Sequence, residues 1–344
     1  MTESIAAAWF GDEIGTELVD VTSDLSALEG SGRWAVMVTF EGDVTCARFT
    51  NWRKGGPSDV AGHWLGPKPA AYETTMARAR YVEVVEGVRD LIAQGQVYQV
   101  NVCRRLSAPM PDACATDVAG LAALLGKGNP APFAGGIQLP EHGIHVASAS
   151  PELFIRRDDR VVESGPIKGT GRTVEDLSAK DEAENVMIVD LVRNDLGAVC
   201  ETGSVSVPSL LATEHHPSMV HLVSTVRGVL RPNATWPDLF AASFPPGSVS
   251  GAPKSSALKA IHALESTPRG PYCGAIGWVD ADTQQAELAV GIRTFWLSDP
   301  MTQPMLNFGT GAGITWGSDS QAEWDETELK AAHLIEVASG EWSL

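Results

Sequence analysis

No apolar run among the 344 residues approaches the roughly 18 that a membrane-crossing helix requires, so no such span is expected. The opening Met1-Thr2-Glu3-Ser4 lacks a basic stretch followed by an apolar one, and a secretory leader is not expected there. Cysteine is sparse: Cys46, Cys103, Cys114, Cys200 and Cys273 are scattered, odd in number and form no CxxC pair. That pattern excludes a disulfide framework and a zinc knuckle, and a reducing cytoplasm is the simplest setting. Basic residues are also in deficit, 25 against 43 acids, for a formal net charge of -18. Such a surface repels nucleic acid and anionic lipid, so neither is expected as a partner.

What is present is core-forming material: 44% hydrophobic residues and ten tryptophans. A chain of this length and composition buries a substantial interior. Residues 1–66 read as a short β-rich segment of alternating strands such as Trp34 to Phe40, packed on the remainder. Gly55-Gly56-Pro57 and Gly66-Pro67-Lys68-Pro69 mark the boundary, which leaves 67–344 as the catalytic domain. There Tyr81, Val84, Val85, Val88, Leu91 and Ile92 recur at helical spacing, and Gly95 supplies the stop. Helices and strands then mix without a βαβαβ rhythm, which favours a large antiparallel α+β domain over a doubly wound sheet.

With acid in such excess, any anionic substrate must be met by local cations. In the segment from Ser320 to Lys330, helical spacing puts Glu323, Glu326 and Lys330 on one face. Ser320 and Glu323 also fit a capping box, which accounts for Glu323 alone and not for the other two. A second helix carries Asp181 and Glu184 three residues apart. Each pair by itself reads equally as solvated surface. Facing each other, they suit a hard divalent ion such as Mg²⁺, which takes carboxylate oxygen and water.

Three glycine- and proline-rich clusters, 165–170, 245–254 and 309–313, read as tight turns in the first instance. The last lies too near the C-terminus to open a dinucleotide-binding unit. Gly247 to Gly251 has Val249 at its centre, so it is no serine nucleophile elbow. Lys168 is the odd member of its cluster, held between isoleucine and glycine in a rigid turn. A surface turn lysine is the plain reading. A desolvated lysine, however, sheds its proton more readily and becomes a nucleophile.

Taken in chain order, these segments resemble the chorismate-utilising enzymes. The motifs are Tyr98-Gln99-Val100-Asn101, Ser150-Pro151-Glu152, Pro166-Ile167-Lys168-Gly169-Thr170, Glu184 to Leu191 running into Arg193-Asn194-Asp195, and His221-Leu222-Val223-Ser224. Gly247 to Lys254, Arg269 to Ala275, Ile292-Arg293-Thr294, Gly311 to Ile314 and Glu323 to Lys330 complete them. The resemblance implies a four-layer αββα fold, two large antiparallel sheets face to face with helices outside. It also implies Mg²⁺ on the ring carboxylate of chorismate, with Glu184 and Glu326 as ligands and Asp181 and Glu323 beside them. Arg293 and Lys330 would grip substrate carboxylates, helped by backbone amides near Gly311 and Gly313. Gln99, Thr170, His221, Ser248 and Tyr272 would line the pocket.

Within that family, isochorismate and salicylate synthases carry a water-activating lysine where this chain has Gln99. Anthranilate synthases carry alanine where it has Lys168. Aminodeoxychorismate synthases share that lysine and the pattern of Asn101. The resemblance therefore implies amination of chorismate to 4-amino-4-deoxychorismate, towards 4-aminobenzoate and folate, with anthranilate synthesis or an antibiotic-pathway counterpart as alternatives. Lys168 would be the nucleophile and Glu152 the proton donor. Ammonia would come from a separate glutamine amidotransferase, because no glutaminase signature is present. A catalytically silent scaffold subunit is the non-enzymatic alternative, and such a protein has no need of these residues.

Overall fold

The computed structural model describes residues 5–112, 116–171, 173–216, 219–300 and 302–340. Cys114 and the side chain of Thr170 lie outside what is described. Seven helices stand among the described residues: α1 (Arg78–Ala93), α2 (Val118–Gly128), α3 (Ala179–Gly197), α4 (Trp236–Ser243), the single turn α5 (Gly247–Ser250), α6 (Lys254–Leu264) and α7 (Ser320–Ser339).

The strands form a continuous antiparallel ladder. Its first half runs Gln99–Pro109, Met305–Ile314, Thr294–Ser298, Ile144–Ser150, Phe133–Leu139, Ala7–Phe10 and Glu13–Thr22. It continues through Val44–Lys54, Arg33–Val38, Ala275–Asp280, Gln285–Val290, Leu153–Asp158, Val161–Gly165, Met219–Val229 and Ser206–His216. Ile167–Gly171 carries on the line of Val161–Gly165 against the same neighbour after a break in register. The strands of the first 54 residues are thus interior members of the ladder.

The alternation of a β-strand decides how this ladder is layered. In Thr294–Ser298, Phe295 and Leu297 join a cluster with Leu121 and Leu125 of α2 and Leu334 and Ile335 of α7. Trp296, between them, joins the opposite cluster, with Val36, Ile276 and Ile137. One half of the ladder therefore packs on the other and turns its outer face to helices. On the far side Ile188, Val192 and Leu196 of α3 pack with Trp236 and Phe240 of α4 in that same large cluster. The architecture is α+β with antiparallel sheet inside and helices outside, as the motif resemblance implied.

The helices begin and end for local reasons. α1 buries Tyr81, Val84, Val85 and Val88 along one stripe, and Gly95 leaves it at a φ of 71°. α7 is capped by Asp319, whose carboxylate accepts from the amides of Gln321 and Ala322. The capping box expected of Ser320 and Glu323 therefore does not form, and Glu323 is released for another role. The reverse holds at α3. There Asp181 accepts from the amide and hydroxyl of Ser178 in a complete capping box, so its carboxylate serves the helix end. Among the described residues no helix is long and apolar enough to cross a membrane, and the four described cysteines are free and buried.

Candidate active site

Two helices and one strand meet at one end of the sandwich. α7 lies along Met305–Ile314 because Thr310 donates to the carbonyl of Thr327 and Arg104 reaches up from the neighbouring strand. That buried arginine bonds Thr327 and Glu328 and stacks on Trp324 at 4.1 Å from the ring centre. α3 is fixed from the other half of the ladder. Asn185, fully buried, donates to the carbonyl of Leu222, and its amide oxygen accepts from Ser224 at 2.5 Å. Two polar motif residues thereby set the depth of the helix that carries Glu184.

The strand under α7 has glycine at positions 309, 311 and 313. A Cβ on Gly309 would strike the ring of Tyr272, and one on Gly311 would stand 2.8 Å from Cys103 Sγ. One on Gly313 would stand 2.4 Å from Gln99 Nε2 and 3.5 Å from Lys168 Nζ. The glycines form a bare track along one face, and the side chains of the opposing wall close onto it. Pairing with Thr294–Ser298 stops at Phe308, so from Gly309 onward that edge of the strand has no partner strand among the described residues. Lys330 exploits the edge by donating to the carbonyl of Gly311 at 3.1 Å.

Lys168, Gln99 and Glu152 gather where the track ends. Lys168 Nζ donates to the carbonyl of Ser248 at 3.1 Å. Ser248 in turn gives a hydrogen bond from its side chain to the Glu152 carboxylate, which also takes the amide of Ile167. Burial pushes the Glu152 carboxyl up to about 7, against the opposing pull of Ser248, Lys168 and the Ile167 amide. The apolar lining beside it explains the desolvation: Leu153, Phe154, Val192 and Leu196 share a cavity wall with it. Gln99 is 0% exposed, and among the described residues neither end of its amide has a hydrogen-bond partner. A buried amide left open at both ends is costly unless something polar meets it, which makes Gln99 a candidate ligand contact.

The acidic side of the site lies between α3 and α7. Glu184, Glu323 and Glu326 converge there with ammonium groups interleaved. Lys180 Nζ stands 3.7 Å from Glu184 and 3.4 Å from Glu323, and Lys330 Nζ stands 2.5 Å from Glu326. Desolvation raises Glu184, partly offset by Lys168 and Lys180. Burial also works to raise Glu326, but Lys330, Lys180 and Lys168 outweigh it and hold that carboxyl low. Among the described residues no three acidic, histidine or cysteine side chains stand ready-grouped around an ion. The donors are nonetheless hard oxygens, and Lys180 already serves as a cation between two of them, so the set fits a small divalent ion.

Of the remaining expected residues, Arg293 is half-buried at a left-handed φ of 52°, and burial lowers its guanidinium from the ordinary value. Strained backbone of this kind is retained where a side chain must be aimed. His221 is buried on the strand opposite Thr170 and Glu214. Tyr272 is buried against Gly309 and Cys103, one step along the track from Gly311. Lys180 was not singled out from sequence, although its place four residues before Glu184 was a readable signal.

Residues 50–336 match the chorismate binding enzyme family. The chain belongs to that family. Anthranilate synthase component 1 of Saccharolobus solfataricus is 36% identical over 279 residues, 78% of this chain and 64% of that protein. Aminodeoxychorismate synthase component 1 of Salmonella typhimurium is 36% identical over 278 residues, 77% of this chain and 59% of its own length. The aminodeoxychorismate synthase of Streptomyces pristinaespiralis is 40% identical over 265 residues, 73% of this chain but 35% of that protein. The chain thus spans less than two thirds of the length of these relatives. Two solved structures share the fold. Anthranilate synthase component I of Streptococcus pneumoniae has a TM-score of 0.77 at 24% identity, covering 97% of this chain and 93% of that one. The menaquinone-specific isochorismate synthase of Escherichia coli has a TM-score of 0.81 at 17% identity, covering 98% and 90%.

The glycine track leaves little room for a side chain on this wall of the candidate site. Gly313→Ala drives a methyl group to 2.4 Å from Gln99 Nε2, so either the glutamine or the strand must move. Overpacking of this kind costs about 1–3 kcal/mol. Urea unfolding is expected to show that loss, and chorismate binding, followed by tryptophan fluorescence, is expected to weaken by about tenfold.

Proposed function

We propose that the chain aminates chorismate at the ring carbon bearing the hydroxyl, forming 4-amino-4-deoxychorismate by way of a covalent adduct on Lys168. The observation that carries this reading is the placement of the Lys168 amine. It lies beside Gly313 and the open amide of Gln99, on the carbonyl of the same serine whose side chain bonds Glu152. A nucleophile and a proton donor stand on one pocket wall, and the neutral Gln99 has no capacity to activate water.

In the proposed reaction the neutral amine of Lys168 attacks the carbon next to the carboxylate-bearing one. Both conjugated ring double bonds shift by one position, and the hydroxyl departs as water with the proton of Glu152. Ammonia then attacks the carbon that lost the hydroxyl, both double bonds shift back, and the lysine amine is expelled. One proton from the incoming ammonia returns to the carboxylate, so the sum is chorismate plus ammonia to aminodeoxychorismate plus water. Arg293, Lys330 and the open edge at Gly311 and Gly313 would hold the substrate's carboxylates. Glu184, Glu323 and Glu326 would hold Mg²⁺, with Asp181 supporting the helix end beneath them. A bound Mg²⁺ would neutralise and orient the ring carboxylate.

Several relatives are named as component 1, which supports a glutamine amidotransferase as the ammonia source. Anthranilate synthase remains the second reading, because relatives of that name are as similar as those named for aminodeoxychorismate. Incubation with chorismate, Mg²⁺ and ammonium, with products separated by chromatography and mass, decides between them. Aminodeoxychorismate is expected with ammonium and not with glutamine alone. Anthranilate and pyruvate as the main products would overturn the assignment.

A further inference from the structure

The gap between α3 and α7 holds its acids and its cations very differently. The Glu323 side chain is 5% exposed and that of Glu184 is 14% exposed, whereas the side chain of Lys180, between them, is 49% exposed. The carboxylates are fixed. Glu323 sits on the first turn of a capped helix, and Glu184 sits beside Asn185, which is bonded to Leu222 and Ser224. Lys180 hangs on four methylenes from the first turn of α3, with half of its surface in water. Lys168 also lies near Glu184, and its Nζ is held by the Ser248 carbonyl.

We propose that Lys180 is an exchangeable resident counter-ion, whose ammonium fills the carboxylate seat while no divalent ion is there and swings into solvent as the ion enters. This rests on the reading of Glu184, Glu323 and Glu326 as the Mg²⁺ seat. Without a cation, two nearly buried carboxylates would face each other across the gap at a substantial electrostatic penalty. Lys180 removes that penalty in the free protein. A divalent ion bonded to the same oxygens would lie within a few ångströms of the ammonium, where like charges repel strongly. The two cations therefore exclude one another. Lysine suits the task because it is a compact point charge on a flexible stem, whereas an arginine fork would lock onto both carboxylates. The protein gains a stable empty site and gives up part of its affinity for the metal.

The test uses the full chain without chorismate, so that no turnover enters the readout. Mn²⁺ binding is titrated by calorimetry and by the loss of its free electron-spin signal, in the parent, Lys180→Met and Lys180→Gln. Thermal unfolding is followed with and without Mg²⁺. Both variants are expected to bind Mn²⁺ on the order of fivefold more tightly, the scale set by releasing two partly exposed ion pairs. Their metal-free melting temperature is expected to fall and their metal-induced rise to grow. Lys180→Arg is expected to bind Mn²⁺ more weakly than the parent. Should the methionine variant fail to fold, the glutamine variant, which keeps a polar stem, supplies the same comparison. Parental Mn²⁺ binding with unchanged or weaker binding in the neutral variants overturns the exchange alone. Failure of parent and variants alike to bind Mn²⁺ overturns the seat and the exchange together.

Discussion

Replacing Lys168 by alanine is expected to lower aminodeoxychorismate formation on the order of 10³-fold or more, the scale of losing a covalent nucleophile. The expectation follows from position. Lys168 Nζ is held by a hydrogen bond to a backbone carbonyl, next to Gly313, whose missing side chain leaves room for the Lys168 and Gln99 side chains to come together. An alanine leaves Glu152 and the acidic seat in place, so chorismate is still bound and its hydroxyl can still be protonated. Any residual amination then proceeds by direct attack of ammonia, and the product is expected to drift towards anthranilate. Lys168→Arg separates charge from nucleophilicity, since arginine keeps the positive charge and never presents a free amine. It should bind chorismate, as the alanine variant does, without restoring amination. Mass spectrometry of enzyme quenched with chorismate should show the adduct in the parent only. A fully active alanine variant with unchanged product would end the covalent route.

Glu152→Gln is expected to cost about 10²–10⁴-fold in rate, the usual worth of a positioned general acid. The pH dependence gives the sharper check. With its carboxyl raised to about 7 by burial, Glu152 carries its proton below that pH and loses it above. The proton-donating form is the active one, so kcat/KM should fall as pH rises through about 7, and the glutamine variant should lack that limb. Stability should move the same way. A carboxyl whose native value lies above its ordinary 4.5 favours the folded state at low pH, and that contribution is lost as pH rises to about 7. At about 1.4 kcal/mol per pH unit, the charged form costs the fold about 3 kcal/mol above neutrality. Glutamine avoids the charge, so at pH 8 the inactive variant should unfold at higher urea than the parent. A variant less stable than the parent at pH 8 would contradict the buried, proton-bearing role.

The candidate site was legible where helical spacing does the geometry and obscure where distant strands do it. Glu323, Glu326 and Lys330 fall on one face of α7 because positions three and four apart on a helix are neighbours. That Asp319 caps α7 was not readable. Aspartate and serine stand side by side there, both make good caps, and a shift of one residue turns Glu323 from a capping group into a buried acid facing Lys180. Asp181, expected beside the metal ligands, has one carboxylate oxygen engaged by Ser178, a contact that the spacing of a capping box made readable. Lys168 looked like a turn residue on its own. It became a candidate only through the run of motifs around it, because the carbonyl that holds its Nζ comes from Ser248, 80 residues further along the chain. The glycines at 309, 311 and 313 read as a turn. They are in fact a strand without side chains on one face, and only the residues pressed against them explain the choice.

The ladder also fixes when the site can exist. Gln99–Pro109 waits for Met305–Ile314, and Arg33–Val38 waits for Ala275–Asp280, so each early strand emerges from the ribosome long before its neighbour is made. Pairings of such long reach close slowly, and until they do the unsatisfied edges are sticky towards other nascent chains. Glu323, Glu326 and Lys330 arrive with α7, so a product cut short before that helix lacks the α7 carboxylates proposed to seat the ion. Synthesis of this chain yields either the closed ladder or a client for chaperones.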